Sequence, residues 1–302
     1  MTRAILIANP NAARTDATTV EALARTIRGA GWELEVLATT APGHARELAA
    51  HGVREGVDVV AVFGGDGTTM QAAAALVGTE TALGLLPGGT GNLLAGNLRL
   101  PANPLKAAEA MVRGQPMPLD LGRMPRPDGD HYFAVACGAG IDARVMVETD
   151  AAQKWKWGMM AYVATTLRLL PALTTIPFRI TVDGVRHEAE GAMLLVANCG
   201  EVIPPLVKLG QGISPTDGML DVMVLRANSF ATSVRAVWDL LTDAGGALGK
   251  DVTIGYARGR EIAVEIIDGQ PHQVQLDGDA GGVTPFTASV VPGAIRVLRP
   301  VD

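Results

Sequence analysis

One carboxylate set among glycines, Phe63-Gly64-Gly65-Asp66-Gly67-Thr68-Thr69, marks the stretch of this chain best suited to chemistry. It follows Val57-Asp58-Val59-Val60-Ala61-Val62, an apolar run of the kind shown by a strand buried on both faces. It precedes Met70-Gln71-Ala72-Ala73-Ala74-Ala75-Leu76, a strong helix former. Glycines where a buried strand turns into a helix let the backbone approach a ligand and adopt positive φ. The N–H groups at the helix start favour an anion such as phosphate. An aspartate in that loop would repel phosphate unless a divalent cation lay between them, so the motif reads as a nucleotide–metal site. A tight turn would need the glycines in any case, but it would not need Asp66.

Two more loops share the setting. In Pro87-Gly88-Gly89-Thr90-Gly91-Asn92 the glycines expose backbone donors, and Thr90 and Asn92 add a hydroxyl and an amide for phosphate or ribose. Asn9-Pro10-Asn11, followed by Arg14, could place an amide and a guanidinium over the phosphates. Late in the chain, Leu276-Asp277-Gly278-Asp279 reads on local pattern as an Asp-Gly β-turn. Phosphoryl transfer to a hydroxyl also wants a carboxylate to take the acceptor's proton, which gives Asp277 a second reading.

These loops need strands and helices to hold them. The first ~120 residues alternate strand and helix patterns: a strand at 3–8, a helix capped by Thr18 and Glu21 and closed by Gly29 and Gly31, a strand at 33–39, a helix near 44–51, then strands at 57–62 and 82–86. A Rossmann-like, doubly wound parallel sheet is the natural fold, with all three loops at the carboxyl ends of its strands. From about residue 121 the texture changes to turns and short strands, among them a hairpin through Asp183-Gly184 and strands near 193–198, 220–225, 261–267, 273–276 and 287–291. Helical patterns recur only near 154–170 and 230–241. The expected organisation is an α/β domain at 1–122, an antiparallel β-sandwich at 123–293, and a last strand at 294–302 returning to the first domain.

Composition narrows the function classes. A net charge of −6 over 302 residues argues against nucleic acid and against a polybasic membrane anchor. Mean hydropathy of +0.24 and 48% hydrophobic residues indicate a globular chain. Cys137 and Cys199 both lie in apolar runs, so buried free thiols in a reducing compartment are expected. No signal-peptide pattern precedes the first strand and no window spans a bilayer, so the expected location is cytoplasmic.

Taken together, the ordered motifs resemble the catalytic domain shared by bacterial diacylglycerol kinases, sphingosine kinases and ceramide kinases, with NAD kinases as distant relatives. The likeness rests on Asn9-Pro10, the 64–68 and 87–92 loops, Asp120-Leu121-Gly122, Gly140-Ile141-Asp142-Ala143, Asp217-Gly218-Met219-Leu220-Asp221 and Asp277-Gly278-Asp279. It implies ATP and Mg²⁺ as cofactors, in a cleft between the two domains, and a membrane lipid as the acceptor, diacylglycerol first. It implies that Asp66 organises nucleotide and metal, that Asp120 supports it through water, and that Asp277 is the general base. Asp217, with the carbonyl of Met219, matches a structural Mg²⁺ site of the bacterial enzymes, and Asp279 stands where the family has glutamate. Thr216 replaces a second aspartate of some relatives, Leu93 an aspartate after Thr-x-Asn, and Arg14 a lysine. The segment Lys154-Trp155-Lys156-Trp157 suits either a transient membrane contact through 154–162 or a helix packed on the sandwich. A soluble NAD kinase-type enzyme and a non-catalytic nucleotide- or lipid-binding protein are the competing readings, and a homodimer is left open.

Overall fold

The computed structural model describes residues 1–140, 175–203, 207–209, 212–226, 246–248, 254–267 and 269–300. The tryptophan segment at 154–162, the helices read at 154–170 and 230–241, and Ile141, Asp142 and Ala143 lie outside the described residues. The chain divides into two compact units, Met1–Leu119 with Gly293–Asp302, and Asp120–Pro292.

The first unit runs β1 (Arg3–Ala8), α1 (Ala17–Gly29), β2 (Glu33–Ala38), α2 (His44–Arg54), β3 (Val59–Gly64), α3 (Asp66–Leu76), β4 (Ala82–Pro87), α4 (Leu93–Asn97) and α5 (Pro104–Val112). Its strands are parallel in the order β2-β1-β3-β4. The end of the chain adds one more parallel strand, with Arg296 opposite Ala82 and Val297 opposite Leu83. Both β3 and β4 are buried along their whole length, as continuous apolar runs require when helices cover both faces. One face packs Leu6, Ala61, Phe63 and Leu86 against Leu23 and Ile27 of α1 and Ala108 and Met111 of α5. On the other, α2 lies close over Ile5 and Val60, where a Cβ on Gly52 would stand 3.0 and 3.2 Å from their side chains. This is the doubly wound sheet expected from the sequence.

The start of α1 differs from the capping box read at Thr18 and Glu21. Asp16 is the cap: it holds an extended backbone, and its carboxylate accepts the N–H of Thr19 at 2.9 Å and the hydroxyl of Thr19 at 2.7 Å. A carboxylate here also faces the positive end of the helix dipole. Helix α5 was absent from the sequence reading, although Asn103 caps it from outside and Pro104 opens it.

The second unit carries β5 (Gln115–Arg126, beginning in the first unit), β6 (Gly129–Phe133), β7 (Ala136–Gly140), β8 (Ile176–Val182), β9 (Val185–Gly191), β10 (Met193–Ala197), β11 (Glu201–Ile203), β12 (Val207–Lys208), β13 (Leu220–Leu225), β14 (Gly246–Ala247), β15 (Ile254–Gly259), β16 (Glu261–Ile266), β17 (Gln273–Leu276), β18 (Asp279–Val283) and β19 (Phe286–Arg299). The first part of β19 pairs antiparallel with β16, which pairs with β8 and β9, and the β5–β6 hairpin joins through β19. A second sheet has the order β14-β15-β13-β10-β7-β17-β18, antiparallel except at β14–β15. Alternate residues of both sheets meet in one core: Phe178, Ile180, Ile262 and Val264 from the first, Leu194, Val196, Val222 and Leu276 from the second. The result is the expected sandwich. The hairpin at Asp183-Gly184 forms as read, with φ of 47° and 82° at its two turn residues. The strands read separately near 287–291 and at 294–302 are one strand, β19, carried through Pro292-Gly293.

Candidate functional site

In the first unit, three backbone bonds stitch the three loops together at the carboxyl edge of the sheet. Asn9 N–H donates to the Phe63 carbonyl, Gly88 N–H to Gly64, and Arg14 N–H to Gly88, each at 2.9 Å. Asp66 is the first residue of α3, after Gly65 as its extended cap. Its Oδ1 accepts the N–H of Leu93, at the start of α4, at 2.6 Å. Asp66 keeps some contact with solvent, yet burial raises its carboxyl above the ordinary value, against the pull of the amides at Leu93, Asn92 and Leu94. A cation beside it would relieve that penalty.

The glycines here do something other than expected. None of the glycines at 64, 65, 67, 88, 89 and 91 has positive φ; in these loops only Asn92 does, at 51°. Those at 88, 89 and 91 are required by crowding between the loops themselves. A Cβ on Gly89 would stand 2.6 Å from Cα of Gly65, one on Gly88 3.0 Å from N of Gly64, and one on Gly91 2.7 Å from Oδ2 of Asp66. Gly64 likewise leaves room for Thr68, and Gly67 is the second residue of α3. Close approach of loop to loop, rather than left-handed backbone, is therefore the physical reason for the glycines at 88, 89 and 91.

Two amides expected to face phosphate have internal roles. Asn9 donates through Nδ2 to Thr68 Oγ1 at 2.8 Å and accepts the N–H of Asn11 at 3.0 Å, so it ties the first loop to α3. Asn92 closes the 89–92 loop on itself, with Oδ1 accepting from Gly89 N–H at 3.0 Å and Nδ2 donating to the Gly89 carbonyl at 2.7 Å. Arg14 and Thr90 are exposed on the same loops.

In the second unit, Asp277 occupies the β17–β18 turn with φ of 49°, next to Gly278 at 91°. The Asp-Gly turn read from the local pattern thus forms. Its carboxylate rests on three consecutive amides: Ala134 N–H reaches Oδ2 at 2.6 Å, while Val135 and Ala136 N–H reach Oδ1 at 2.8 and 2.9 Å. Its own N–H returns to the Ala136 carbonyl at 2.9 Å. Gln275 closes the turn from below, Oε1 accepting the Gly278 N–H at 2.7 Å. Asp279, exposed, begins β18 opposite Leu276.

The segment at 134–136 is held from its other side by Asn198, which the sequence reading passed over as a strand end. Asn198 is fully buried; Nδ2 donates to the carbonyls of Ala134 at 2.8 Å and Asp120 at 2.9 Å, and its N–H donates to Val135. An amide ending the apolar run at 193–197 was the available signal. Beside it, the buried Cys199 thiol donates to the Ala134 carbonyl at 3.1 Å. Burial, with the Asp277 and Glu201 carboxylates, pushes that thiol far above its ordinary value, which makes it an inert group.

Asp120 is buried within the second unit. Its Oδ2 accepts the Gly218 N–H at 2.7 Å and its own N–H donates to the Pro215 carbonyl at 2.8 Å. The structural metal site expected at Asp217 and Met219 does not fit this geometry. Asp217 Oδ1 accepts the Met219 N–H at 3.0 Å, and Oδ2 lies 3.8 Å from Nη1 of Arg258, so a guanidinium already stands where a cation would. Among the described residues, no group of three or more His, Cys, Asp or Glu gathers as a metal cage. Asp66 does fit Mg²⁺ carried by a nucleotide, which commonly takes only one or two protein carboxylates beside phosphate oxygens. No helix among the described residues is long and apolar enough to cross a membrane.

A nucleotide-type α/β unit with phosphate-suited loops, continued into a β-sandwich with a braced aspartate, defines the class as a two-domain kinase. Comparison with known proteins agrees. Residues 3–124 match the diacylglycerol kinase catalytic domain, and residues 135–299 match the YegS C-terminal NAD kinase beta sandwich-like domain. A diacylglycerol kinase of Mycobacterium tuberculosis is 33% identical over 266 residues, covering 85% of this chain and 81% of that one. A YegS-like lipid kinase of Xanthomonas oryzae is 30% identical over 302 residues, covering 97% and 95%. The crystal structure of a diacylglycerol kinase from Bacillus anthracis superimposes with a TM-score of 0.78 at 25% identity, covering 98% and 96%. The chain belongs to the diacylglycerol kinase and YegS-like lipid kinase family, and it is a lipid kinase.

Proposed function

We propose that this kinase transfers the γ-phosphoryl group of ATP to the hydroxyl of a membrane lipid, diacylglycerol before sphingoid or other hydroxyl lipids. The observation that carries the reading is the Asp277 carboxylate, fixed in direction by three backbone amides before any substrate arrives. A base held in this way loses little entropy when it takes a proton. The preference for diacylglycerol is supported by the names of the relatives from Mycobacterium tuberculosis and Bacillus anthracis.

In this reading the lipid oxygen forms a bond to the γ-phosphorus while the bond from that phosphorus to the β–γ bridging oxygen breaks, leaving ADP. Asp277 accepts the hydroxyl proton. Asp66 would hold Mg²⁺ in the first unit, and Asp279 is proposed as a metal-contacting carboxylate of the second; the ion, when bound, would neutralise charge on the phosphate oxygens. Arg14 and Thr90 contact phosphate, while Asn9, Asn92 and the glycines keep the loops in register. The lipid substrate brings the protein transiently to a membrane surface from the cytoplasm, where the two buried free thiols would stay reduced.

Transfer of labelled phosphate from ATP into a panel of lipids in mixed micelles with Mg²⁺ tests this reading. Incorporation into diacylglycerol is expected; label appearing in NAD or soluble polyols, with none in lipid, would reject it. Trp155→Ala combined with Trp157→Ala is expected to weaken liposome binding severalfold. Unchanged liposome binding would remove the membrane role of 154–162.

A further inference from the structure

The sheet register sets Arg258 on β15 directly opposite Asp221 on β13. Its guanidinium grips that carboxylate with both prongs, Nε on Oδ1 at 2.8 Å and Nη2 on Oδ2 at 3.0 Å. Nη2 also donates to the Gly212 carbonyl at 2.8 Å, and Nη1 faces Asp217. One side chain therefore reaches the start of the 212–221 segment, its turn and the strand that ends it. The segment's second hold is Asp120, through Gly218 and Pro215.

A divalent cation would serve such a segment only with oxygen ligands arranged around it. Here Asp217 Oδ1 is turned to its own Asx-type turn, and the Thr216 hydroxyl pairs with that of Ser214 at 3.0 Å. Both oxygens of Asp221 are engaged by the fork. Mg²⁺ demands near-octahedral geometry and loses its waters reluctantly, and a fixed guanidinium repels it. A planar five-donor group suits two carboxylates and a carbonyl better than a lysine would. We infer that Arg258 is the built-in cation of the 212–221 segment. The segment, and the buried Asp120 it covers, holds its shape without a structural Mg²⁺.

The test uses full-length, nucleotide-free protein carrying Asp66→Asn and Asp279→Asn, which removes both carboxylates assigned elsewhere to a divalent cation. Thermal unfolding is followed in millimolar Mg²⁺ and in EDTA, and the two midpoints are expected to coincide. A resident ion present at ~100 times its Kd would raise the midpoint by several degrees, so a fall of that size on chelation, restored by Mg²⁺, would overturn the inference. Adding Arg258→Met leaves two carboxylates without their counter-charge. Its midpoint in EDTA should fall, and Mg²⁺ or Ca²⁺ should now recover part of the loss. An Arg258→Met midpoint equal to the parent's would show that the guanidinium holds nothing, and would also overturn the inference. Should Arg258→Met fail to fold, Arg258→Lys keeps the charge and loses the fork, with an expected midpoint below the parent's and unmoved by EDTA. Chelation of the parent decides in either case.

Discussion

Asp66 and Asp277 are the two carboxylates to which the proposed reaction assigns metal and proton, and their units hold them by different means. Asp66 sits where two glycine loops crowd together, and a strong bond from Leu93 does not offset the burial that disfavours its charge. Asp277 sits on a hairpin turn in left-handed backbone, its charge met by three amides in a row. The first arrangement asks for a cation from outside; the second satisfies a carboxylate from within. The metal-holding role proposed for Asp66 draws on the first arrangement, and the role proposed for Asp277 draws on its fixed direction.

Replacing each carboxylate by its amide is the most forceful way to break the comparison. Asp277→Asn is expected to lower lipid phosphorylation by roughly 10²–10⁴-fold while nucleotide affinity changes little. It should also destabilise the fold by about 1–3 kcal/mol, because an NH₂ group must then face a backbone N–H. Asp66→Asn should lower turnover by on the order of 10²-fold, yet leave the midpoint of the nucleotide-free protein unchanged or higher at neutral pH. The sign follows from the raised carboxyl. A group whose folded value lies above its unfolded one contributes its stability fully below the unfolded value, and that contribution is lost as pH rises through the folded value. Asparagine keeps the Leu93 bond and removes this loss. Equal midpoint losses for the two variants, measured by calorimetry across pH, would erase the distinction.

Asn198 sharpens it. The segment that presents amides to Asp277 is anchored through this one buried side chain to the Asp120 carbonyl. Asn198→Ala should cost about 1–3 kcal/mol, since the buried carbonyls of Asp120 and Ala134 each lose an amide donor. Turnover should fall with Asp277 misplaced, while KM for ATP stays near the parent's. A variant with altered nucleotide affinity and normal turnover would detach Asn198 from the base.

Much of this was legible before any coordinates. Apolar runs at 57–62 and 82–86 identified central strands because strands buried on both faces carry little else, and Asp-Gly pairs at 183–184 and 277–278 announced hairpins because few other residues accept left-handed φ. The hairpin through Asp183-Gly184 and the short strands near 193–198, 220–225 and 261–267 likewise disclosed the sandwich. What stayed hidden depends on contacts across long sequence distances. Nothing local says that Asn9 reaches Thr68 and Asn92 closes its own loop, or that Arg258 lies opposite Asp221, which only strand register decides. The glycines were found for a partly mistaken reason: their spacing is that of a phosphate loop, but the constraint is collision between two loops, invisible in either alone. Asp16 was overlooked as a cap because the Thr18–Glu21 pair matches the same template two residues later.

Single methyl groups give the finest test of the contrast between crowded and strained backbone. Gly89→Ala should cost about 1–3 kcal/mol and raise KM for ATP, because its Cβ meets the Gly65 backbone and neither loop can retreat alone. Gly91→Ala presses instead on Asp66 Oδ2, so turnover should fall more than stability. Gly278→Ala meets nothing within 4 Å but must hold φ near 91°. Its penalty is therefore strain alone, about 1 kcal/mol, which in a chain of this size moves the midpoint by only a few degrees. Asp277 already tolerates φ of 49° in the same turn because its carboxylate and N–H are anchored to 134–136, so the hairpin should keep its register when alanine follows. ATP affinity should then be untouched and turnover reduced severalfold at most. If Gly278→Ala instead raised KM for ATP as much as Gly89→Ala, the turn and the glycine loops would be answering to the same constraint, and the separation drawn between the two carboxylates would fail.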